Sequence, residues 1–181
     1  MKTYLKIFLA TGIPFGIVTG IFYGFQFGFF SSLVGGLIGA IIFGGLMSLV
    51  LGFLHRWSVK QIASDKSEAA MGIYQVRNIE LWLPYNRAFT LCIRSLDSIK
   101  KCKIHREDRS LGKIAAKTGM TWKTFGDVIS FEVFSIDDDR THIKILSRPL
   151  VRTTLVDYGK NLENVETIVR IIKQHGNVVV E

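Results

Sequence analysis

The sequence lacks charge over a long stretch, since none of the 48 residues from Ile7 to Leu54 is Asp, Glu, Lys, Arg or His. An apolar run of 18 or more residues is enough to predict a membrane-spanning helix. This run is long enough for two helices, which we place at about Tyr4 to Phe25 and about Phe30 to Leu54. The sequence therefore predicts a transmembrane helical hairpin. Ionisable groups inside spans commonly mark ion or proton routes, so their absence argues against a pump or transporter.

The sequence also lacks the motifs that usually indicate a metal site or an active site. The two cysteines, Cys92 and Cys102, and the four histidines show no metal-ligand spacing. Serine and cysteine nucleophile motifs with glycine elbows are absent. The three aspartates at 137–139 lack the spacing of a calcium loop and fit a solvated hairpin turn. We therefore expect no metal, no cofactor and no catalytic residue, and a protein that is not an enzyme.

Small residues are abundant and recur at every fourth position in both predicted spans. Lipid tails are as apolar as leucine, so membrane helices associate through close packing at small side chains. The pattern resembles the glycine zippers of oligomeric membrane proteins, which implies a homo-oligomer, although the two ladders could also satisfy each other within one hairpin. Gly35, Gly39 and Gly45 add a second set of small positions that could contact a neighbouring subunit. The candidate packing residues are Gly12, Gly16, Gly20, Gly24, Gly28, Ser32, Gly36, Ala40, Gly44, Ser48 and Gly52.

Charge placement predicts three segments and an orientation. We assign residues 1–56 to the hairpin, 57–71 to a juxtamembrane linker or helix extension, and 72–181 to an α+β domain. The apolar run is too long for a signal peptide and is followed at once by a second span. Lys2, Lys6, Arg56 and Lys60 flank the hairpin, whereas the connecting turn at 25–31 is uncharged. The positive-inside rule then predicts a multi-pass protein of the cell (inner) membrane, with both termini in the cytoplasm and the turn outside.

The domain is expected to contain a β-α-β-β-β-β-α order of elements. An antiparallel sheet with helices on one face is the arrangement that such an order favours. Asn161 is the expected cap of the last helix and Gly176 its stop signal. The predicted strands are 72–83, 102–108, 111–118, 127–136 and 141–147, with Leu150 to Val156 as a candidate extra strand, and the first domain helix is Tyr85 to Ile99.

Three short stretches, Trp122 to Asp127, Ile145 to Arg148, and Asp157 to Asn161 with Asn164, resemble a bacterial domain family of unknown function. The resemblance covers about the last 60 residues and implies no catalytic residue. The order of elements is also similar to a shortened helix-grip domain, a fold that often holds hydrophobic ligands. This implies an alternative function, a membrane-tethered module that binds lipid or another apolar ligand.

A net charge of +8 favours contact with anionic lipid, and we find no nucleic-acid recognition motif. The turn into the last helix could hold an anion at its free N–H groups; the alternative is a plain glycine turn with an Asn cap. Candidate anion or headgroup contacts are Arg148, Arg152, Lys160 and Asn161. Candidate membrane-surface contacts are Arg56, Trp57, Lys60, Lys100, Lys101 and Lys103.

These patterns predict an integral membrane protein that forms a homo-oligomeric scaffold through its glycine-rich spans. Its cytosolic α+β domains would form a platform, with other copies of the chain and membrane lipids as partners. An oligomeric channel is the second alternative, because hydrophobic pores can gate by dewetting.

Overall fold

A computed structural model of the protein describes residues 2–62 and 71–176. Its contacts divide the chain into two units, Met1–Ser58 and Val59–Glu181. Part of the predicted linker, residues 63–70, lies outside the described residues.

A hairpin of two long helices, α1 (Lys2–Phe27) and α2 (Phe29–Ile62), forms the first unit, except that the last four residues of α2 belong to the second unit. Both are long and apolar enough to cross a membrane, judged by length and composition alone. The turn at 25–31 was predicted too long, because a single residue, Gly28, separates the helices. Its φ of 85° lies in the left-handed region that glycine adopts without a steric penalty. The Ser32 N–H donates to the Gly28 carbonyl at 3.1 Å, so the second helix begins immediately.

The second unit is an α+β domain built on a five-stranded antiparallel sheet, as the sequence predicted. The sheet order is β1-β5-β4-β3-β2, and the order along the chain is β-α-β-β-β-β-α. The strands are β1 (Gln75–Leu81), β2 (Cys102–Asp108), β3 (Lys113–Thr118), β4 (Asp127–Ser135) and β5 (Thr141–Pro149). The helices are α3 (Tyr85–Ser95), which continues as a 3-10 turn (Leu96–Ser98), and α4 (Lys160–His175).

Alternating side chains of the inner strands form one hydrophobic core with α3 and α4. Phe131 of β4 and Ile145 of β5 face Phe89 of α3 and Ile168 of α4, and all four are at most 1% exposed. Apolar side chains therefore fill the space between the sheet and the helices. Burying each such side chain stabilises the fold by about 1.5–3 kcal/mol.

The prediction of an extra strand from Leu150 to Val156 was wrong. The chain instead turns over the end of the sheet, where the Leu150 N–H donates to the Gly126 carbonyl at 3.0 Å. The physical reason is that β5 already pairs with β1 on one side and β4 on the other. A segment that directly follows β5 therefore finds no free edge beside β5, because the free edges of the sheet belong to β1 and β2.

Candidate functional site

A buried polar cluster connects the start of α4 to the sheet. Its side chains come from the end of β3, the loop after it, the start of β4, the end of β5, the turn before α4 and the first turns of α4. All are at most 7% exposed. The members of this buried polar cluster are Thr118, Thr124, Asp127, Ser147, Asp157, Asn161 and Asn164.

Gly159 occupies the N-cap position of α4 in place of the predicted Asn161, and the side chain of Asp157 accepts hydrogen bonds from the start of the helix. One of its carboxylate oxygens accepts hydrogen bonds from the backbone N–H and the side-chain amide of Asn161, at 3.0 and 2.9 Å, and the other accepts from Gly159 N–H at 3.2 Å. Tyr158 and Gly159 both have left-handed backbones, with φ of 49° and 72°. These two residues turn the chain so that Asp157 points back at the helix. Asn161 is therefore the second residue of α4 and its side chain is directed into the cluster.

The two asparagines of α4 extend the network to the sheet. Asn161 Oδ1 accepts a hydrogen bond from the Ser147 hydroxyl at 2.7 Å. Asn164 Nδ2 donates to Ser147 Oγ at 3.3 Å and to Asp127 Oδ2 at 3.2 Å. Because these bonds cross from α4 to β4 and β5, they fix the position of the helix on the sheet.

Asp127 is a buried carboxyl group with one unpartnered oxygen. Its Oδ2 also accepts from the Thr118 and Thr124 hydroxyls at 3.4 and 3.3 Å. Among the described residues, neither its Oδ1 nor Asn164 Oδ1 has a hydrogen-bond partner. Burial raises the pKa of Asp127; the Asn164 hydrogen bond lowers it and the nearby Asp157 raises it further. Protonation of Asp127 would add a donor where the asparagine leaves an acceptor unpaired.

The chemistry available to the cluster follows from its burial. Side chains that are at most 7% exposed are not accessible to a substrate in this conformation. The hydrogen bonds of the cluster instead hold α4 in place on the sheet. Within residues 2–62 and 71–176 no group of three or more His, Cys, Asp and Glu side chains is placed to hold a metal ion. Cys92 lies in the core, where burial raises the pKa of its thiol to about 12.

The structure joins the three stretches on which the family resemblance rests, because each contributes to the buried polar cluster. The sequence reasoning did not join them, although a signal exists. Ser147 continues the inward alternation of Ile143 and Ile145, and Asp127 precedes the inward-facing Ile129 and Phe131. A polar residue at a core-facing position of a strand requires a buried hydrogen-bond partner.

The four candidate anion contacts have different surroundings. Lys160 Nζ forms an ion pair with Glu163 at 2.9 Å, and Asn161 belongs to the buried polar cluster. Arg148 is half-buried on β5 and Arg152 is exposed in the following loop. The hydrogen bonds of Lys160 and Asn161 lead to neither arginine, so an anion site at this turn stays a prediction.

The two small-residue ladders face each other inside the hairpin. A Cβ added to Gly12 would lie 2.7 Å from the Ala40 carbonyl oxygen, and one added to Gly16 would lie 2.7 Å from that of Gly36. These distances are shorter than real Cβ contacts, so only glycine fits at both positions. A Cβ on Gly20 or Gly24 would lie 3.1 or 3.2 Å from Ser32, a tight contact that would require Ser32 to move by a few tenths of an ångström.

The second set of glycines also packs mostly within the hairpin. Gly35 lies against the Tyr23 ring and Gly39 against Thr19, whereas a Cβ on Gly45 would have no neighbour within 4 Å. The Ser48 hydroxyl adds a hydrogen bond to the Tyr4 carbonyl at 2.8 Å, linking α2 to α1.

All six candidate membrane-surface residues are exposed. Arg56, Trp57 and Lys60 lie on α2, near its end. Lys100 and Lys101 occupy the turn before β2, and Lys103 lies on that strand.

No family model and no curated protein matches the chain. Solved structures do match it. They include an uncharacterised protein from Bacillus thuringiensis, at 4% identity over 56% of this chain and 97% of that chain, with a TM-score of 0.43. Another is a protein from Thermobifida fusca, at 11% identity over 59% of this chain and 97% of that chain, with a TM-score of 0.38. The chain is thus similar to uncharacterised bacterial proteins.

A further match corrects the expectation that the protein is not an enzyme. The ZhuI aromatase/cyclase from Streptomyces sp. R1128 matches at 13% identity over 56% of this chain and 84% of that chain, with a TM-score of 0.35. Because enzymes are among the structures that match, the expectation of a non-enzyme is withdrawn. At this identity and TM-score the match assigns no activity to the chain.

Proposed function

We propose that the protein is an integral membrane protein in which α1 and α2 anchor the α+β domain at the cytoplasmic surface. The observation that carries the proposal is the exposed apolar surface of a tightly packed hairpin. Only 22% and 17% of the apolar windows of the two helices are buried. A core helix of a soluble protein would be mostly buried, whereas helices that face lipid leave their apolar side chains exposed.

The packing of the hairpin supports this proposal. Hydrophobicity does not drive helices together in lipid, so a stable pair needs close backbone contact or interhelical hydrogen bonds. The hairpin has both, at Gly12 and Gly16 and at the Ser48–Tyr4 hydrogen bond. Basic residues at both ends and none in the turn favour a cytoplasmic location for the termini.

Extraction of the full chain from membranes tests the anchor. We expect the protein to stay in the membrane pellet after an alkaline carbonate wash and to dissolve in a mild detergent. Release by carbonate would contradict the proposal, because it would show a peripheral protein.

We also propose that copies of the hairpin associate. One side of the hairpin carries an open groove of about 430 Å³. Its floor contains Gly16, Gly20, Gly36 and Ala40, and aliphatic side chains form its walls. A floor of small residues allows the close approach of another helix, so a second copy of this chain fits the groove.

Cysteine crosslinking in native membranes tests the association. Leu37 lines the groove and Ile42, five residues further along α2, does not, and their exposures of 64% and 66% make them a matched pair. We expect Leu37→Cys to form disulfide-linked dimers on oxidation and Ile42→Cys to form few. Equal yields from the two variants would contradict a groove-directed oligomer.

A hydrophobic ligand held between the sheet and the helices receives less support. The side chains there, among them Phe89, Phe131 and Ile168, are fully buried against one another. The element order is that of a shortened helix-grip domain, but apolar side chains occupy the place of a ligand. The oligomeric channel stays a prediction.

A further inference from the structure

One end of the sheet lies where the chain enters the domain. The residue before β1, the turn before β2, the loop between β3 and β4 and the segment after β5 all lie at this end. We call this the proximal end. In the same unit, Val59 and Ile62 of α2 pack on Gly159 and Leu162 at the start of α4.

The proximal end carries an exposed apolar patch, formed by Met120, Trp122, Phe125, Leu150 and Val151. Trp122 is 81% exposed, Phe125 66% and Met120 63%. The two loops are adjacent, because Leu150 bonds to Gly126. The Trp122 ring lies 5.8 Å from the ring of Tyr158, next to Gly159. Large apolar side chains grouped on a surface mark an interaction site.

Basic side chains border the apolar patch. The Lys101 side chain lies against Gly119, immediately before Met120, and Lys100 beside it is exposed. Arg152 follows Val151 and is also exposed. The opposite end of the sheet instead carries the three aspartates at 137–139, in the turn between β4 and β5. Arg140 in the same turn pairs with Asp137, so this turn, at what we call the distal end of the sheet, remains net negative, whereas the side chains that border the patch are basic.

We propose that the proximal end rests on an anionic bilayer, with the apolar patch inserted among the headgroups and the basic side chains on the lipid phosphates. This inference rests on the proposed membrane anchor. Aromatic and long apolar side chains beside Lys and Arg are the composition of surfaces that lie in the membrane interface. Lys and Arg side chains close to an anionic surface are attracted to it electrostatically. The distal aspartates then face away from the anionic lipid.

Lipid quenching of a site-specific fluorophore tests the inference on the full chain. The protein is reconstituted in nanodiscs of phosphatidylglycerol that carry bromine on the acyl chains, and Cys102 is replaced by Ser. The fluorophore is attached at Phe125→Cys in the patch, or at Phe134→Cys as the matched control. Phe134 is exposed near the distal end of β4. A third variant, Ile42→Cys, reports on the hairpin from an exposed position outside the groove.

We expect the fluorophore at position 125 to lose most of its emission in brominated lipid and the one at 134 to keep it. Equal, weak quenching at 125 and 134 with strong quenching at 42 would overturn the inference and leave the anchor in place. A fluorophore at 125 that is shielded from water but not quenched would also overturn it, since a protein would then cover the patch. Absence of quenching at all three positions would instead refute the anchor itself.

Discussion

Replacing Gly44 with alanine should weaken the hairpin, whereas the same change at Gly45 should not. A methyl group at Gly44 would lie 2.9 Å from the Phe8 carbonyl oxygen and 3.0 Å from Gly12 Cα, while one at Gly45 would meet nothing within 4 Å. Ordinary contact begins at 3.4 Å, so α1 and α2 must separate by roughly half an ångström. Overpacking of this kind costs about 1–3 kcal/mol. The separation would also lengthen the 2.8 Å Ser48–Tyr4 hydrogen bond.

Energy transfer between two fluorophores measures this effect. We would label cysteines at Leu5 and Leu49, which are exposed and lie one residue beyond the bonded Tyr4 and Ser48. Sodium dodecyl sulfate, titrated into a mild detergent, then separates the helices. Gly44→Ala should separate at a lower mole fraction of dodecyl sulfate than the unsubstituted hairpin, and Gly45→Ala at the same one.

Two results would refute this reasoning. If both variants separate at the same mole fraction as the unsubstituted hairpin, the glycine at 44 is not in close contact. If both separate earlier by the same amount, the effect belongs to the substitution and not to the interface.

Three further changes test the turn and the buried polar cluster. The pKa of Asp127 is raised in the folded state, so the wild-type protein loses the stability linked to this proton as pH rises above about 4. Asp127→Asn has no such proton and should therefore become more stable relative to wild type as pH rises. Melting temperatures of both proteins from about pH 4 to pH 8 measure the difference. An equal gap at every pH would contradict it. Asp157→Ala should lower the free energy of unfolding by about 1–3 kcal/mol, because it leaves buried N–H groups unpaired. Denaturant unfolding should show a much smaller decrease for Glu163→Ala, because the Glu163 side chain is half-exposed. Gly28→Ala should lower the stability of the hairpin by about 1 kcal/mol, because alanine is strained at a φ of 85°. The same energy-transfer titration measures this loss.

The order of elements could be predicted because the periodic patterns are local. Ile143 and Ile145 alternate in β5, and Phe89, Cys92 and Leu96 follow the spacing of a helix. The extra strand at 150–156 failed because its residues suit a strand but the sheet had no free edge beside β5. Strand formation depends on a neighbour that the local pattern does not reveal.

The buried polar cluster could not be predicted from the sequence in the same way, because its members are far apart along the chain. Asn164 bonds to Asp127 across 37 positions of the chain, and buried carboxyl groups are uncommon. In the hairpin, small residues of the two ladders lie in close contact with the facing helix. The side chains that pack on Gly35 and Gly39 could not be predicted, because they depend on the rotation of α1 about its axis. In the structure, Tyr23 lies against Gly35 and Thr19 against Gly39.

Side-specific labelling of the full chain tests the anchored hairpin most directly. A cysteine at Phe27, beside the turn, and one at Asp139, in the domain, would be treated with a membrane-impermeant maleimide in intact cells and in inverted vesicles. Cys102 is replaced by Ser, and the buried Cys92 thiol, with its pKa raised to about 12, gives little background. We predict labelling of position 27 only from outside the cell and of position 139 only from the cytoplasmic side. Labelling of both positions from the same side would contradict a hairpin that spans the membrane.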